Sequence, residues 1–323
     1  MPTLDLSIVI PVFNEAKNLS GVLEKIRALP LANYEIIVID DGSSDESVAV
    51  AEGFGARVIQ HPYNIGNGAA IKTGLRAARG KWIVMLDADG QHPPEAIPLL
   101  LAHLGRYHMV VAARERSTEA GWHRMIANRF YSWFASYVSQ FRVEDLTSGF
   151  RAMHRRVALK FVDLLPNTFS YPTTLTLAVL RSGLALKYVR VEFRQRQGHS
   201  KIRLWEDGTR FLLILSKVAT LFAPFRVFLP VSGFFFTLGL AYYAYTFITM
   251  HRFTNMAALL FSTSVIIFMM GLVSEQVAQL RMDRQGAHEA EENVEREIEA
   301  GSRRRRTRTL EPLAPRLRAD GGS

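Results

Sequence analysis

A chain of 323 residues, 48% of them hydrophobic, can build one large domain plus a further element and is too apolar to be disordered throughout. It has no cysteine, which excludes disulfides, thiolate metal centres and cysteine nucleophiles, and agrees with a catalytic part facing the cytosol. A net charge of +9 points to anionic partners: nucleic acid, nucleotide phosphates or acidic lipid headgroups.

The opening residues, Met1 to Leu6, carry neither a basic region nor a long apolar run, so the start of the chain is expected to stay in the cytosol. Up to about residue 200, short apolar runs alternate with helical periodicities, the pattern of βαβ units around a mostly parallel sheet. Strands are predicted at Leu6–Pro11, Glu35–Asp40, Ala56–Gln60, Trp82–Asp87, Met109–Ala113 and Leu186–Phe193. Helices are predicted at Ala16–Leu29, Asp45–Phe54, Gly68–Ala78, Pro94–Leu104, His123–Phe141 and Ser170–Ser182.

Three of those strands run into polar clusters. The first ends in Pro11-Val12-Phe13-Asn14-Glu15 and the second in Asp40-Asp41-Gly42-Ser43-Ser44-Asp45. The apolar run from Trp82 ends in Asp87-Ala88-Asp89-Gly90-Gln91. On an extended chain, residues i and i+2 point the same way, so one cation could touch Asp87 and Asp89. One or two carboxylates plus substrate phosphates is the usual way a protein holds Mg²⁺. An acidic loop turn is the plainer reading of that tripeptide alone. Three clusters beyond strand ends, where open α/β sheets bind ligands, favour the site. His61, His92, His154 and His199 are scattered and read as structural or surface groups, with His92 the closest to the acidic turn.

The character changes after Gly198. Residues 205–226 place Arg210 and Lys217 on one face of an apolar helix, as in a helix lying in the membrane interface. Residues 227–250 and 253–274 contain no charged residue, and each run exceeds the roughly 20 residues needed to cross a bilayer. His251-Arg252 makes the turn between them. Basic residues gather outside both ends of the pair, which predicts cytoplasmic termini. Residues 275–323 read as a polar cytoplasmic tail, partly disordered, ending near Arg303-Arg304-Arg305-Arg306. Beside a membrane span that Arg run suits lipid headgroups or plain solvation, and nucleic acid is not an expected partner.

As a set, PVFNEA, EIIVIDDGSSDES, HPYNIGNGAAIKTGLRAARGKWIVMLDADGQHPPE, DLTSGFRAM and QGHSK resemble the family 2 glycosyltransferases, in the polyprenyl-phosphate branch that includes dolichol-phosphate mannose and glucose synthases. The resemblance covers roughly residues 5–205. It implies a glycosyltransferase-A fold over a catalytic domain, residues 1–204, and a hairpin like that of bacterial members. It also implies Mg²⁺ or Mn²⁺, a nucleoside-diphosphate sugar donor and a polyprenyl (undecaprenyl or dolichyl) phosphate acceptor, with a bacterial inner-membrane location and homo-oligomers such as tetramers. Carried over by residue, Pro11, Phe13 and Glu15 match nucleotide-contacting positions, with Phe13 where Tyr is commoner. Ile39 and Asp41 match the base and ribose positions. Asp87, Ala88 and Asp89 match the D-x-D of the donor site, and Gln91 a further metal ligand beside Asp87 and Asp89. Arg114 and Arg129 resemble acceptor-phosphate arginines, and Lys201 a phosphate-contacting lysine. A family arginine falls on Gln195, so Arg194 and Arg196 on either side are the candidates. Asp145 resembles an active-site carboxylate near the acceptor; an N-cap or an ion pair with Arg151 is the structural alternative. Asp89 and Asp145 are the expected catalytic carboxylates.

Other classes fare worse. A dinucleotide-binding oxidoreductase needs G-x-G-x-x-G after the first strand, which is absent. A processive polysaccharide synthase would resemble this chain in fold and D-x-D but should carry Q-x-x-R-W and more membrane helices. A non-catalytic membrane scaffold would be expected to lose a metal carboxylate or an acceptor arginine.

Overall fold

A computed structural model describes residues 4–114, 133–134, 136–137, 140–168, 170–194, 220 and 223–280. In chain order the elements are β1 (Leu6–Val12), α1 (Ala16–Arg27), β2 (Tyr34–Asp40), α2 (Ser47–Gly53), β3 (Arg57–Gln60), α3 (Asn67–Ala77) and β4 (Trp82–Met85). A 3-10 turn (Pro94–Ala96) leads into α4 (Ile97–Leu101), then come β5 (Met109–Arg114), β6 (Arg151–His154), α5 (Arg155–Phe161), α6 (Tyr171–Arg181) and β7 (Leu186–Val191). Two long helices close the described chain, α7 (Pro224–Met250) and α8 (Asn255–Leu280).

The seven strands form one sheet in the order β3-β2-β1-β4-β6-β5-β7. All are parallel except β6, which runs against both β4 and β5. Every residue of β1 is buried, as expected of a strand covered on both faces, and so the sequence Leu-Ser-Ile-Val-Ile-Pro-Val does not alternate. Pro11 belongs to this central strand although it cannot donate to a ladder. Val9 O accepts from Leu86 N and Val12 O from Asp41 N, so alternate residues of β1 address β4 and β2. Pro11 falls with Val9 on the β4 side, two residues past the last β1–β4 pair, where there is no ladder bond to lose.

Several expectations change. The strand expected over Trp82–Asp87 stops at Met85, so Asp87 and Asp89 do not sit on an extended chain. β6 and α5 were not anticipated. Most of the helix expected over His123–Phe141 lies outside the described residues, although 133–134 and 136–137 are helical. Of the helix expected over 205–226, only Thr220 and residues 223–226 are described, and Pro224 to Arg226 form the first turn of α7. The second apolar helix runs on to Leu280 and takes in Glu275.

Helices α7 and α8 have 27 and 26 residues, about 40 Å each at 1.5 Å per residue against a bilayer core of about 30 Å. Only 11% and 17% of their most apolar windows are buried, which rejects a hairpin hidden in a soluble core. Phe234, Phe236, Tyr245, Ile248, Ile266 and Met269 stand exposed instead. The helices meet through small residues, as membrane helices do. Ser232 and Ser264 each donate a hydroxyl to the other's carbonyl at 3.0 Å. Gly239 is seated against Leu260 and Phe261, where a Cβ would come within 3.2 Å.

Candidate active site

The parallel strands all finish at one edge of the sheet. β6 begins there, because an antiparallel strand starts where its neighbours end, and Arg151 pairs with Met85 of β4 and Val111 of β5. β4 leaves the sheet at Met85 while β1 continues to Val12, which opens a crevice of the kind in which α/β sheets bind ligands. The three polar clusters foreseen at strand ends therefore lie side by side, and residues 145–149 join them through β6.

The loops after β1 and β2 are stitched together. Asn14 N donates to Ser43 Oγ at 2.9 Å, and Ser44 N to Asn14 Oδ1 at 2.8 Å. Asn14 has a φ of 56°, a left-handed conformation that asparagine tolerates. Ala16 N and Glu15 N donate to Asp45 Oδ2 and Ser47 Oγ, fastening the start of α1 to the loop after β2. Burial works against ionisation of Asp45, but hydrogen bonds from Ser47 and Ala16 outweigh it and hold the carboxyl below its usual range.

The acidic turn is built by His92. Asp87 N donates to His92 Nδ1 at 2.9 Å, which assigns the ring as a neutral imidazole with its proton on Nε2. Burial favours that neutral form: His92 is 2% exposed, stacked on Phe150 at 5.4 Å and edge-on to Phe193 at 5.0 Å. Asp89 lies in the turn itself, accepting from Gln91 N at 3.1 Å and from Gln91 Nε2 at 2.6 Å. A closed turn, rather than strand periodicity, brings the two carboxylates together.

Burial raises the Asp87 carboxyl above its usual range, the Asp89 charge adds to this, and Arg114 works against it. A cation would reverse the sense of that shift. Among the described residues no three His, Cys, Asp or Glu side chains gather as a metal site. The donors on offer at the acidic turn would be the Asp87 and Asp89 carboxylates and the Gln91 amide oxygen, whose amide nitrogen is already spent on Asp89. Such a set fits a divalent cation that completes its shell with substrate phosphates and water.

Gly149 makes room for this arrangement. A Cβ there would come 3.1 Å from Asp87 Oδ2 and 3.0 Å from the hydroxyl of Tyr171, which is buried at the start of α6. Gly149→Ala is expected to leave the fold intact and push Asp87 by a few tenths of an ångström. Turnover should fall about 10-fold, less than the roughly 100-fold that a 1 Å misplacement can cost. Steady-state rates beside a thermal melt check this, and an unchanged rate would mean that Asp87 has slack.

The other sequence-predicted residues divide into groups. Ile39 and Ala88 are buried in the core, so any contact they make with a ligand is through their backbone. Pro11 is buried, Phe13 is exposed, and Glu15 accepts from Asn18 Nδ2 at 2.7 Å. Asp41 is 2% exposed and already occupied: Oδ1 lies 2.7 Å from His61 Nδ1 and accepts from Ile65 N, while Oδ2 accepts from Gly66 N. His61 reaches on to Thr73 Oγ1 at 2.9 Å, so Asp41 anchors the loop before α3. Its neighbour Asp40 was not singled out, yet its Oδ1 is buried with no hydrogen-bond partner, while Oδ2 accepts from Ser43 N.

Arg114 ends β5 with its guanidinium 5.3 Å from the ring centre of Phe193. Its backbone N–H donates to Asp145 Oδ2 at 3.3 Å. Asp145 Oδ1 accepts from Thr147 N, Thr147 Oγ1 and Ser148 N, which closes a turn; no helix follows, so the suggested N-cap is not what it makes. The suggested ion pair with Arg151 is not formed. Arg151 is fully buried and donates instead to Ser148 O, Leu146 O and Thr176 Oγ1, holding the turn from behind. Arg194 N donates to Gln91 O at 3.0 Å and its guanidinium pairs with Glu95 at 3.0 Å, bracing the acidic turn from β7. Arg129, Arg196, Lys201 and His199 lie outside the described residues. His154 caps α5, accepting from Arg156 N at 3.1 Å.

Comparison with known proteins agrees with this architecture. Residues 7–163 match the glycosyl transferase family 2 and residues 223–280 match the GtrB C-terminal hairpin. An undecaprenyl-phosphate 4-deoxy-4-formamido-L-arabinose transferase of Aeromonas hydrophila is 31% identical over 52% of this chain and 57% of its own length. A dolichol-phosphate mannosyltransferase of Mycosarcoma maydis is 38% identical over 35% of this chain and 42% of its own. The chain spans about half the length of the curated relatives it matches. Glucosyl-3-phosphoglycerate synthase of Mycobacterium tuberculosis, solved with Mn²⁺, uridine diphosphate and glucosyl-3-phosphoglycerate, superposes with a TM-score of 0.55 at 22% identity. That alignment covers 67% of this chain and 80% of the other, and speaks to the fold. With its crevice at the β4 end and an exposed apolar helix pair behind it, this chain carries a family 2 glycosyl transferase domain of glycosyltransferase-A-like fold followed by a GtrB C-terminal hairpin.

Proposed function

We propose that this protein transfers a sugar from a nucleoside-diphosphate sugar to a polyprenyl phosphate at the cytoplasmic face of the membrane, with inversion at the anomeric carbon. The observation that carries the reading is Asp87 with Asp89 in the closed turn after β4, in a domain joined by hydrogen bonds to an exposed apolar hairpin. The matched relatives are named as transferases that use undecaprenyl or dolichol phosphate, which supports the acceptor class. Basic residues outside both ends of the hairpin support the cytoplasmic side.

Pro11, Phe13, Glu15, Ile39, Asp41 and Ala88 belong to the donor side, Ile39 and Ala88 through their backbone. Asp87, Asp89 and Gln91 would hold Mg²⁺ or Mn²⁺, which when bound neutralises the leaving diphosphate. Arg114, Arg129, Lys201 and an arginine near residue 195 meet the acceptor phosphate. Asp145 fixes the backbone of Arg114 and so aims it. A lipid phosphate has its second pKa at about 6 and is mostly a dianion in the cytosol. It needs no enzyme base to become nucleophilic, so the protein's task is alignment and charge neutralisation. Direct displacement at the anomeric carbon follows.

Acceptor kcat/KM is accordingly expected to fall below a pH of about 6, as the phosphate takes up its second proton and loses nucleophilic charge. A flat profile from pH 5 to 7 would contradict a dianion nucleophile. The decisive experiment is turnover by the purified full chain with a panel of nucleoside-diphosphate sugars and a polyprenyl phosphate. Sugar appearing on the lipid phosphate is the expected result, and hydrolysis alone or no reaction across the panel would overturn the reading.

A further inference from the structure

Glu275 is the one acidic residue between Pro224 and Leu280, and it lies on α8 close to the end that meets the α/β domain. Its two oxygens make two different contacts. Oε2 accepts from Phe225 N at 3.2 Å. That donor is one of the orphaned N–H groups in the first turn of α7, whose N-cap Ala223 has no side-chain oxygen to offer. A carboxylate there also meets the positive end of the α7 dipole. Oε1 lies 3.6 Å from Arg181 Nη2, in the last turn of α6. One side chain therefore joins the start of the first apolar helix, the end of the second and the α/β domain.

The helix at the far side of that ion pair leads to the active site. α6 opens at Tyr171, whose hydroxyl adjoins Gly149 in the space beside Asp87, and closes at Arg181. Its 11 residues form a rod of about 16 Å between the acidic turn and the hairpin. A second tie stands beside it: Tyr137 donates its hydroxyl to Arg226 O at 3.1 Å, and Arg226 Nη1 donates to Tyr137 O at 2.9 Å. Arg226 lies in the first turn of α7 and Tyr137 does not, so the pair ties the hairpin to another part of the chain. A domain on one flexible tether would need none of these contacts.

We propose that Glu275, through Arg181 and α6, is a positioning residue that sets the height and tilt of the active site over the bilayer surface. This rests on the reading that the acceptor is a lipid phosphate. A phosphate on a polyprenyl chain is confined to the headgroup level, so the distance between the crevice and the hairpin decides whether it reaches Asp87 and Arg114. A short, water-soluble prenyl phosphate diffuses to the crevice and is indifferent to that distance. Glu275 touches no reacting atom, and its effect is exerted through the orientation of α6.

The test compares two acceptors with the full-length chain in vesicles of phosphatidylethanolamine and phosphatidylglycerol: a long polyprenyl phosphate in the bilayer and a short soluble prenyl phosphate. Glu275→Gln and Arg181→Gln are each expected to slow transfer to the bilayer acceptor about 10-fold, within the roughly 100-fold range that misplacement of reacting groups covers. Transfer to the soluble acceptor and the donor KM should stay unchanged. Arg181→Lys, which keeps the charge, should restore most of the bilayer rate. Arg181→Gln leaves the carboxylate on Phe225 N in place, so it serves even if Glu275→Gln loosens the hairpin. Equal losses on both acceptors, or no loss on either, would overturn the positioning role. A wild-type chain that glycosylates neither acceptor would instead overturn the proposed function, so the two failures are distinguishable.

Discussion

Asp89→Asn is expected to abolish sugar transfer while leaving the protein folded. The side chain lies in a surface turn whose partners both belong to Gln91, and asparagine keeps an oxygen to accept from Gln91 N. The fold therefore loses little. What goes is one of two carboxylates where a cation would share its shell with a diphosphate, worth several kcal/mol of charge stabilisation as the leaving group departs. A loss of about 4 kcal/mol is about 1000-fold in rate. EDTA should reproduce the effect in the unmutated protein, and Mg²⁺ or Mn²⁺ should reverse it. Full turnover in EDTA, or an Asp89→Asn variant with ordinary rates, would remove the cation from the mechanism.

What could be read from the residues, and what could not, follows from how each element is stabilised. β1, β2, β4 and β5 declare themselves because strands inside a mostly parallel sheet are apolar runs. β6 did not, since Arg151-Ala152-Met153-His154 is four residues long and opens on a charge. That charge is tolerated because two backbone carbonyls and Thr176 take the guanidinium, a solution that only the folded neighbours reveal. Missing β6 also hid the reason Gly149 stands beside Asp87 and Asp145 beside the backbone of Arg114. Spacing likewise could not decide between Asp40 and Asp41. Adjacent residues at a strand end address different surroundings, and the loop carrying His61 and Gly66 claimed Asp41. His92 was the suspect histidine for its position, but its task is a hydrogen bond to the backbone of Asp87, which no side-chain motif records. The hairpin was legible from composition alone. Glu275 was not: it fell in the expected polar tail, and its place on α8 beside Phe225 and Arg181 is visible only in three dimensions.

Arg114→Ala should weaken use of the lipid phosphate far more than binding of the nucleotide. Arg114 ends β5 at the crevice edge, near enough for its charge to lower the Asp87 carboxyl, and its aim is set from two sides. The Phe193 ring lies 5.3 Å from the guanidinium, and the backbone N–H is bonded to Asp145 Oδ2. Arg114 forms no ion pair of its own among the described residues, so an incoming dianion would meet a cation with its charge still to be matched. Removing a charged hydrogen-bond partner typically costs about 1.5–3 kcal/mol. On the acceptor kcat/KM that is roughly 10- to 150-fold. Arg114→Lys should recover only part of it, since an ammonium cannot offer the planar fork that grips two phosphate oxygens. Asp145→Ala should reproduce a smaller share of the loss by freeing the Arg114 backbone. Donor binding, measured by calorimetry with the nucleoside diphosphate and Mn²⁺, should be nearly unaffected in all three variants. If donor affinity fell as far as acceptor use, Arg114 would belong to the diphosphate, and the acceptor phosphate would have to be met by the basic residues between positions 129 and 201.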